Sequence, residues 1–174
     1  MIKSVWSENS SLPHFEKLTG GHNTDVLIIG GGLCGILCAY YLQQANIDYI
    51  LVEGSSITSG TTKNTTAKIT SLHSLIYDKT TRSYGKEKAQ MYLDANNRAL
   101  LEYERLCQNI ECDFLKKDAY TYSLTDREKI EREVYAVNNL GFNAEFEKNL
   151  KLPFSVAGAV RFKNQAQLDR KSVV

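Results

Sequence analysis

Apolar and polar residues fall into clear blocks near the start of the chain. Residues 25–29 (Asp-Val-Leu-Ile-Ile) form a short, nearly continuous apolar run, residues 33–45 carry apolar side chains at helical spacing, and residues 48–53 form a second apolar run. Short apolar runs bounded by turn residues are typical of strands buried on both faces of a sheet. The pattern therefore predicts a right-handed strand–helix–strand unit over residues 25–53.

The pattern after residue 53 is less regular. Residues 54–72 are rich in Ser, Thr and Gly and have no apolar period, which predicts a loop. Helical spacing predicts a short helix within residues 72–84, a long amphipathic helix over 86–107, and a helix that begins at the capping-box pattern Thr125-x-x-Glu128 and ends near Leu140. Short strands are predicted at residues 113–116, 119–123, 143–147 and 157–163.

Composition narrows the function classes. The chain has 21 Lys and Arg against 20 Asp and Glu, a net charge of +1, which argues against a general attraction to nucleic acid or to an anionic membrane. No apolar stretch approaches the roughly 20 residues of a membrane span. Residues 1–23 lack the apolar core of a secretory signal, so a cytoplasmic location with reduced cysteines is expected.

The strongest motif is Gly30-x-Gly32-x-x-Gly35, which lies between the first predicted strand and the predicted helix. Gly30 permits a tight turn, Gly32 lets the backbone approach a pyrophosphate, and Gly35 lets the helix pack closely on the sheet. Free N–H groups at the helix start would face the anion. The strand and helix on either side supply the context that this motif needs, so it predicts a dinucleotide site.

Two features after the second strand favour FAD among the dinucleotides. Glu53 ends that strand, where a carboxylate can accept hydrogen bonds from ribose hydroxyls and would repel the 2′-phosphate of NADP. The Thr-rich loop over residues 60–70 replaces the crossover helix that NAD-binding domains enter at this point. An NAD-binding dehydrogenase is the first alternative, and a non-catalytic fragment that binds only an ADP moiety, or nothing, is the second.

Cysteines and histidines indicate no metal site. Cys34 and Cys38 lie four residues apart on the predicted helix, and we predict them to be small buried thiols that pack the helix on the sheet, with a metal or redox pair as the alternative. Cys107 and Cys112 flank a predicted helix end without further Cys or His at ligand spacing. The lone His73 is predicted to be structural.

Three stretches together resemble FAD-dependent oxidoreductases of the D-amino-acid oxidase/glycine oxidase superfamily: residues 25–35, 51–53 and 60–68. Residues 65–70 with His73, and residues 158–161 with 164–167, are similar to the bacterial branch whose members carry a C-terminal Rieske iron–sulfur domain. The resemblance implies flavin-mediated hydride removal from a small substrate, an amine-bearing one among the candidates. Oxygen or an iron–sulfur domain absent from this chain would then accept the electrons.

The resemblance also implies which residues contact FAD. The pyrophosphate would be lined by Gly30, Gly32, Leu33 and Cys34, with Gly35 behind them. The adenosine ribose would be held by Glu53, Gly54 and Ser55, and the phosphates flanked by Thr61 and Thr62. The isoalloxazine would be approached by Thr66, Ala67 and Lys68. Lys68 is the candidate for stabilising negative charge on the reduced ring, the one catalytic role that we assign.

These inferences define an α/β fold class: a Rossmann-like βαβ unit for FAD or NAD(P), with an α+β insertion, incomplete as a domain. We assign an N-terminal extension (1–24), the βαβ unit with its Thr-rich loop (25–84), an insertion that forms part of a substrate domain (85–163) and a truncated tail (164–174). The segments with which the resembled family closes its FAD site, and its Rieske ligand pattern, are absent from the sequence. We therefore expect an N-terminal portion that is inactive alone and holds FAD weakly.

Overall fold

The structure is a computed structural model, and it describes residues 13–168. Residues 13–67 form one compact unit, which we call the glycine-turn unit, and Lys68–Leu168 form a second, the sheet unit. Within the predicted N-terminal extension, residues 13–24 contain no helix or strand, and residues 1–12 lie outside the described part. The final residues of the predicted tail, 169–174, lie outside it as well.

The glycine-turn unit has the predicted strand–helix–strand order. Strand β1 (Val26–Ile29) is followed by helix α1 (Leu33–Gln44) and strand β2 (Tyr49–Val52). The two strands are parallel, with Val26 opposite Tyr49 and Ile29 opposite Val52. The βαβ prediction is therefore confirmed, with boundaries within a residue or so of those expected from the sequence.

Burial in this unit differs from the prediction. Along β1, Leu27 is 56% and Ile29 81% exposed, whereas their neighbours are half-buried, so only one face of the strand is covered in the described chain. Cys34 and Cys38 are exposed on α1, not buried. Ala39 is the buried residue of this helix. Because successive helical positions are about 100° apart, burial of Ala39 turns Cys38 away from the strands.

The sheet unit contains one antiparallel sheet of four strands: β3 (Lys68–Ile69), β4 (Leu115–Ser123), β5 (Ala144–Glu147) and β6 (Gly158–Gln167). Strand β6 lies in the middle. It pairs with β4 along one edge, and β5 and β3 follow one another along the other edge.

Strands β4 and β6 are longer than predicted. The two strands expected at 113–116 and 119–123 are a single strand, because both halves pair with the same partner, β6. A register shift between Lys117 and Ala119 lies where the two predicted strands were separated. Strand β6 continues through Asn164, whose φ of 55° marks a local irregularity, so residues 164–167 of the predicted tail belong to this strand.

Two helices complete the sheet unit. Helix α2 (Tyr77–Cys107) consists of two helical stretches that meet at Gly85, where a φ of 85° breaks the helical backbone, as the two predicted helices imply. Helix α3 (Arg127–Asn139) is capped by Asp126, whose carboxylate accepts a hydrogen bond from the Lys129 N–H at 2.9 Å. The predicted cap at Thr125 is therefore wrong by one residue. Within the described residues, no helix is both long and apolar enough to cross a membrane.

Both helices contribute to one apolar core against β6. The Phe162 ring stacks with the Tyr77 ring, and its centroid lies 4.6 Å from the centroid of the Phe142 ring. The buried members are Leu72, Tyr77, Ala89, Leu93, Ile130, Ala136, Val137, Leu140, Ala144, Val160 and Phe162. Burial of this size in one cluster makes the sheet unit the better packed of the two.

Candidate functional site

The glycine turn begins where β1 leaves its sheet. Gly30 has a φ of +109°, a backbone conformation that side chains with a Cβ rarely adopt. Its N–H donates a hydrogen bond to the Val52 carbonyl at 2.8 Å, which ties the turn to the end of β2. The positive φ of Gly30 and its hydrogen bond to Val52 therefore account for the tight turn predicted at this residue.

Gly35 lies where α1 crosses the turn. A Cβ at this position would lie 2.0 Å from the Gly30 carbonyl oxygen and 3.3 Å from Cγ2 of Ile28. The first contact is with backbone, which cannot move aside without opening the turn. Only glycine fits here, which agrees with the close helix–strand packing expected from the motif.

Gly31 is a site residue that the motif alone did not identify. A Cβ here would lie 2.9 Å from Cγ2 of Ile57 and 3.2 Å from Cβ of Glu53. The Gly31 carbonyl also accepts a hydrogen bond from the Thr58 N–H at 2.8 Å. The loop after β2 thus packs directly on the turn, and the third glycine, beyond the two that the motif requires at this place, was the available signal.

Gly32 differs from the other glycines of the turn. A Cβ at this position would meet only Oγ1 of Thr62, at an ordinary contact distance of 3.4 Å. Its φ of −80° lies in a region that any residue adopts. Neither packing nor backbone geometry in the described chain requires glycine here. What remains is the role predicted from the sequence, a bare backbone that a ligand can approach.

The start of α1 presents backbone donors at this bare position. The helix has no side-chain cap. The Leu33 N–H donates to Oγ1 of Thr62 at 3.1 Å, whereas the N–H groups of Gly32 and Cys34 have no hydrogen-bond partner among the described residues. Unpaired N–H groups and the positive end of the helix dipole together form a site that favours an anion.

Glu53 closes the other side of the turn. Its Oε2 accepts a hydrogen bond from the Gly31 N–H at 2.8 Å, and its Oε1 accepts one from the Ser55 N–H at 2.9 Å. These backbone donors hold the pKa of the exposed Glu53 carboxyl below its usual value, so the group is ionised at neutral pH. Each carboxylate oxygen keeps a further lone pair, which leaves room for hydroxyl donors.

The other residues predicted to contact FAD are divided between the two units. Gly54, Ser55, Thr61 and Thr66 are exposed in the loop after β2, and Ala67 adopts a φ of 55° at its end. Hydrogen bonds link Glu53 and Thr62 to the turn, but no hydrogen bond in the described chain links Thr61 or Thr66 to it. Lys68 is the first residue of β3 and belongs to the sheet unit.

An open cavity of about 590 Å³ lies within the sheet unit. It is lined by Lys68, Thr70, Leu72, Ser74, Lys117, Asp118, Ala119, Tyr120, Thr121, Tyr122, Gln165, Ala166 and Gln167. Arg161 forms an ion pair with Asp118 and, by hydrogen bonding, lowers the pKa of that carboxyl. In the described part of the chain, Lys68 and Lys117 form no ion pair. The cavity therefore combines a carboxylate whose charge is balanced by Arg161 with two ammonium groups that form no ion pair among the described residues.

His73 takes no part in lining this cavity. Its Nδ1 lies 2.9 Å from the Tyr92 hydroxyl, in a hydrogen bond at the exposed side of α2. Among residues 13–168, no group of three or more His, Cys, Asp or Glu side chains is placed to hold a metal ion.

Comparison with known proteins identifies the family. The family model described as FAD dependent oxidoreductase, DAO, matches residues 25–174. This chain belongs to that family. The superfamily resemblance inferred from the glycine turn, Glu53 and the Thr-rich loop is thus confirmed.

Two curated proteins are similar in sequence. The first is YhfW of Bacillus subtilis (strain 168), whose name describes a Rieske 2Fe-2S iron-sulfur protein; it is 35% identical over 169 residues, which are 95% of this chain and 33% of that protein. The second is gamma-glutamylputrescine oxidoreductase of Escherichia coli (strain K12), 31% identical over 85 residues, which are 49% of this chain and 20% of that protein. The chain thus spans about a third of the YhfW relative.

Solved structures share the fold. Glycine oxidase from Geobacillus kaustophilus superposes with a TM-score of 0.65 at 18% identity, over 88% of this chain and 42% of that one. L-proline dehydrogenase from P. horikoshii superposes with a TM-score of 0.68 at 14% identity, over 87% and 40%. The predicted fold class is therefore confirmed: a Rossmann-like βαβ unit with an α+β part.

Proposed function

We propose that the glycine-turn unit binds the ADP half of FAD. The observation that carries the proposal is Gly32, a glycine that neither packing nor backbone conformation in the described chain explains. It lies at a helix start, where the N–H groups of Gly32 and Cys34 have no hydrogen-bond partner among the described residues. A pyrophosphate needs both features, a close approach to bare backbone and donors aimed at its oxygens.

The contacts of the turn support part of the proposed residue roles, and the family resemblance implies the others. The N–H groups of Gly32 and Cys34, with that of Leu33, would bind the pyrophosphate, and Thr62 would lie at its edge. Glu53 would accept hydrogen bonds from the adenosine ribose through its remaining lone pairs. Gly54, Ser55 and Thr61 would flank the nucleotide, while Thr66, Ala67 and Lys68 would approach the isoalloxazine. Gly30 and Gly35 would keep the turn in shape.

The longer protein is proposed to be an oxidoreductase acting on a small amino-acid or amine substrate. Bound FAD would supply the hydride acceptor. The names of the Escherichia coli relative and of the glycine oxidase and proline dehydrogenase structures support this substrate class. The cavity of the sheet unit, with Lys68 among its lining residues, is the surface of this chain that we assign to the substrate side.

The electron acceptor and the location extend the same proposal. The name of YhfW supports an iron–sulfur domain as acceptor, and oxygen is the alternative. Such a domain would lie in a part of the longer protein that this chain does not include. A cytoplasmic location stays a prediction from the sequence.

FAD titration tests the proposal directly. Purified chain is titrated into FAD while flavin fluorescence is followed, with NAD and NADP tested as competitors. We expect saturable FAD binding that is lost on gel filtration, because the chain spans only a third of its relative. Glu53→Gln, which keeps the side-chain shape but removes the charge, is expected to weaken binding about tenfold, the effect of one charge-assisted hydrogen bond. Binding of NAD with no binding of FAD would contradict the proposal.

A further inference from the structure

Strands β3, β6 and β4 place two lysines on the same face of the sheet. Lys68 in β3 lies opposite Gln167 in β6, and Lys117 in β4 lies opposite Gln165. Opposite residues of an antiparallel pair project from the same face, as do residues two apart in one strand. No register shift separates these pairs along β6. The Lys68 and Lys117 side chains therefore share a face, and both line the cavity of the sheet unit.

A buried, neutral amide lies on the strand between the two lysines. Gln165 is only 3% exposed, and it lines the same cavity. Its Oε1 accepts hydrogen bonds from Oγ1 of Thr70 at 3.0 Å and from the Ser71 N–H at 2.8 Å. Its Nε2 donates to the Lys163 carbonyl at 3.1 Å. Both ends of the amide are thus engaged, so Gln165 is fixed in place and supplies no charge that could balance an ammonium group.

The acidic lining of the cavity does not balance the lysines either. Asp118 is the acidic residue among the described residues that line it. This carboxylate forms an ion pair with Arg161, which does not line the cavity. Lys68 and Lys117 form no ion pair within residues 13–168. The cavity therefore carries two positive charges that no described residue compensates, a distribution that favours a ligand with two negative charges.

We propose that Lys68 and Lys117 form a binding site for a small molecule with two carboxylate groups. Their Cα atoms lie two strands apart across the sheet and two residues apart along it, a separation of roughly 12 Å. Each long, flexible side chain can bind one carboxylate of the same molecule through a charge-assisted hydrogen bond. Leu72, Ala119 and Ala166 line the same cavity and supply apolar surface for a short carbon chain between the carboxylates.

The site deepens the proposed function and rests on it in one respect. If the longer protein oxidises an amino-acid substrate at this cavity, the site makes that substrate an acidic amino acid. Binding itself needs only residues of the sheet unit, and the lining residues all belong to this chain. Dicarboxylate binding can therefore be measured without FAD.

Isothermal titration calorimetry of the chain without FAD tests the site. The probes are succinate and its uncharged analogue succinamide, at pH 7 and low ionic strength, where charge pairs are least screened. We expect saturable binding of succinate, no binding of succinamide, and displacement of succinate by L-glutamate. Lys117→Gln is expected to weaken succinate binding about tenfold, the effect of one charge-assisted hydrogen bond. Failure of L-glutamate to displace bound succinate would overturn the assignment of an acidic amino acid.

Lys116→Gln is the matched control. Lys116 is the neighbour of Lys117 in β4, so its side chain projects from the opposite face. It pairs with Glu104 at 2.6 Å and does not line the cavity. Circular dichroism checks that each variant is folded, and Lys116→Gln should bind succinate as the wild type does. Equal weakening in the two variants, or no saturable succinate binding by the folded wild-type chain, would overturn the proposal.

FAD titration of the wild-type chain separates this proposal from the proposed function. A chain that binds FAD but not succinate would contradict the dicarboxylate site alone. A chain that binds succinate but not FAD would support the site and contradict the proposed function alone.

Discussion

Each unit contains a glutamate whose carboxylate accepts hydrogen bonds from two backbone N–H groups, yet the pKa values of the two carboxyls are shifted in opposite directions. In the glycine-turn unit, Glu53 accepts from Gly31 at 2.8 Å and from Ser55 at 2.9 Å. In the sheet unit, Glu133 accepts from Tyr77 at 2.8 Å and from Asp78 at 2.9 Å. The exposed Glu53 has a lowered pKa, whereas burial raises the pKa of Glu133.

Burial therefore decides whether the pKa of a carboxyl with two N–H donors is lowered or raised. In water, two N–H donors stabilise the charged carboxylate, which stays available to a ligand. In the core, the loss of hydration outweighs the donors, and the carboxylate serves to cap the first turn of α2, whose own N-cap supplies no side chain. The glycine-turn unit keeps its carboxylate charged and exposed beside the turn, whereas the sheet unit buries its carboxylate against the start of α2.

The largest expected effect is that of Gly35→Ala. The added Cβ would lie 2.0 Å from the Gly30 carbonyl oxygen, so α1 must move off the turn, at a cost of about 3 kcal/mol or more. Amide hydrogen exchange of α1 is expected to accelerate strongly. Gly32→Ala is the matched control, because its Cβ meets only an ordinary contact at 3.4 Å, and its exchange should match the wild type. If amide hydrogen exchange of α1 were equal in the two variants, packing would not require glycine at position 35 more than at position 32.

The second effect is that of Glu133→Gln. A glutamine has one acceptor oxygen, so either Tyr77 or Asp78 loses the partner of its N–H, at about 1–3 kcal/mol. A raised pKa in the folded state gives stability that is fully present below the unfolded value of 4.5 and is lost as pH rises through the folded pKa. The stability gap between wild type and Glu133→Gln is thus expected to be larger at pH 4 than at pH 7.

Urea unfolding at the two pH values measures that gap. Glu131→Gln is the matched control on the same helix, since Glu131 is exposed and pairs with Arg127 at the surface. It should show almost no loss of stability. If the stability difference between wild type and Glu133→Gln is larger at pH 7 than at pH 4, hydrogen bonding and not burial controls the pKa of Glu133.

The smallest effect on stability is that of Glu53→Gln. The lowered pKa gives stability that is present above 4.5 and is lost as pH falls through the folded value. The gap between wild type and Glu53→Gln should therefore shrink on acidification, the reverse of the result for Glu133. Urea unfolding between pH 3 and pH 7 measures the sign. If the stability difference changed with pH in the same direction for both glutamates, the contrast between Glu53 and Glu133 would be wrong.

Local patterns predicted the glycine-turn unit well. The strands, the helix and the tasks of Gly30 and Gly35 follow from residues close together in sequence. What failed depends on distant partners. The joining of two predicted strands into β4 is caused by β6, more than thirty residues later. Burial of Glu133 depends on the start of α2, and exposure of Cys38 depends on which face of α1 meets the strands.

The central claim is that position 32 is glycine because a ligand approaches its backbone, and not because the fold requires glycine there. FAD titration of Gly32→Ala, beside circular dichroism and α1 hydrogen exchange, tests it most directly. The account predicts an unchanged fold and loss of FAD binding over the concentration range in which the wild type saturates, because the new Cβ occupies the place of the pyrophosphate. Wild-type affinity in a folded Gly32→Ala chain would contradict the claim.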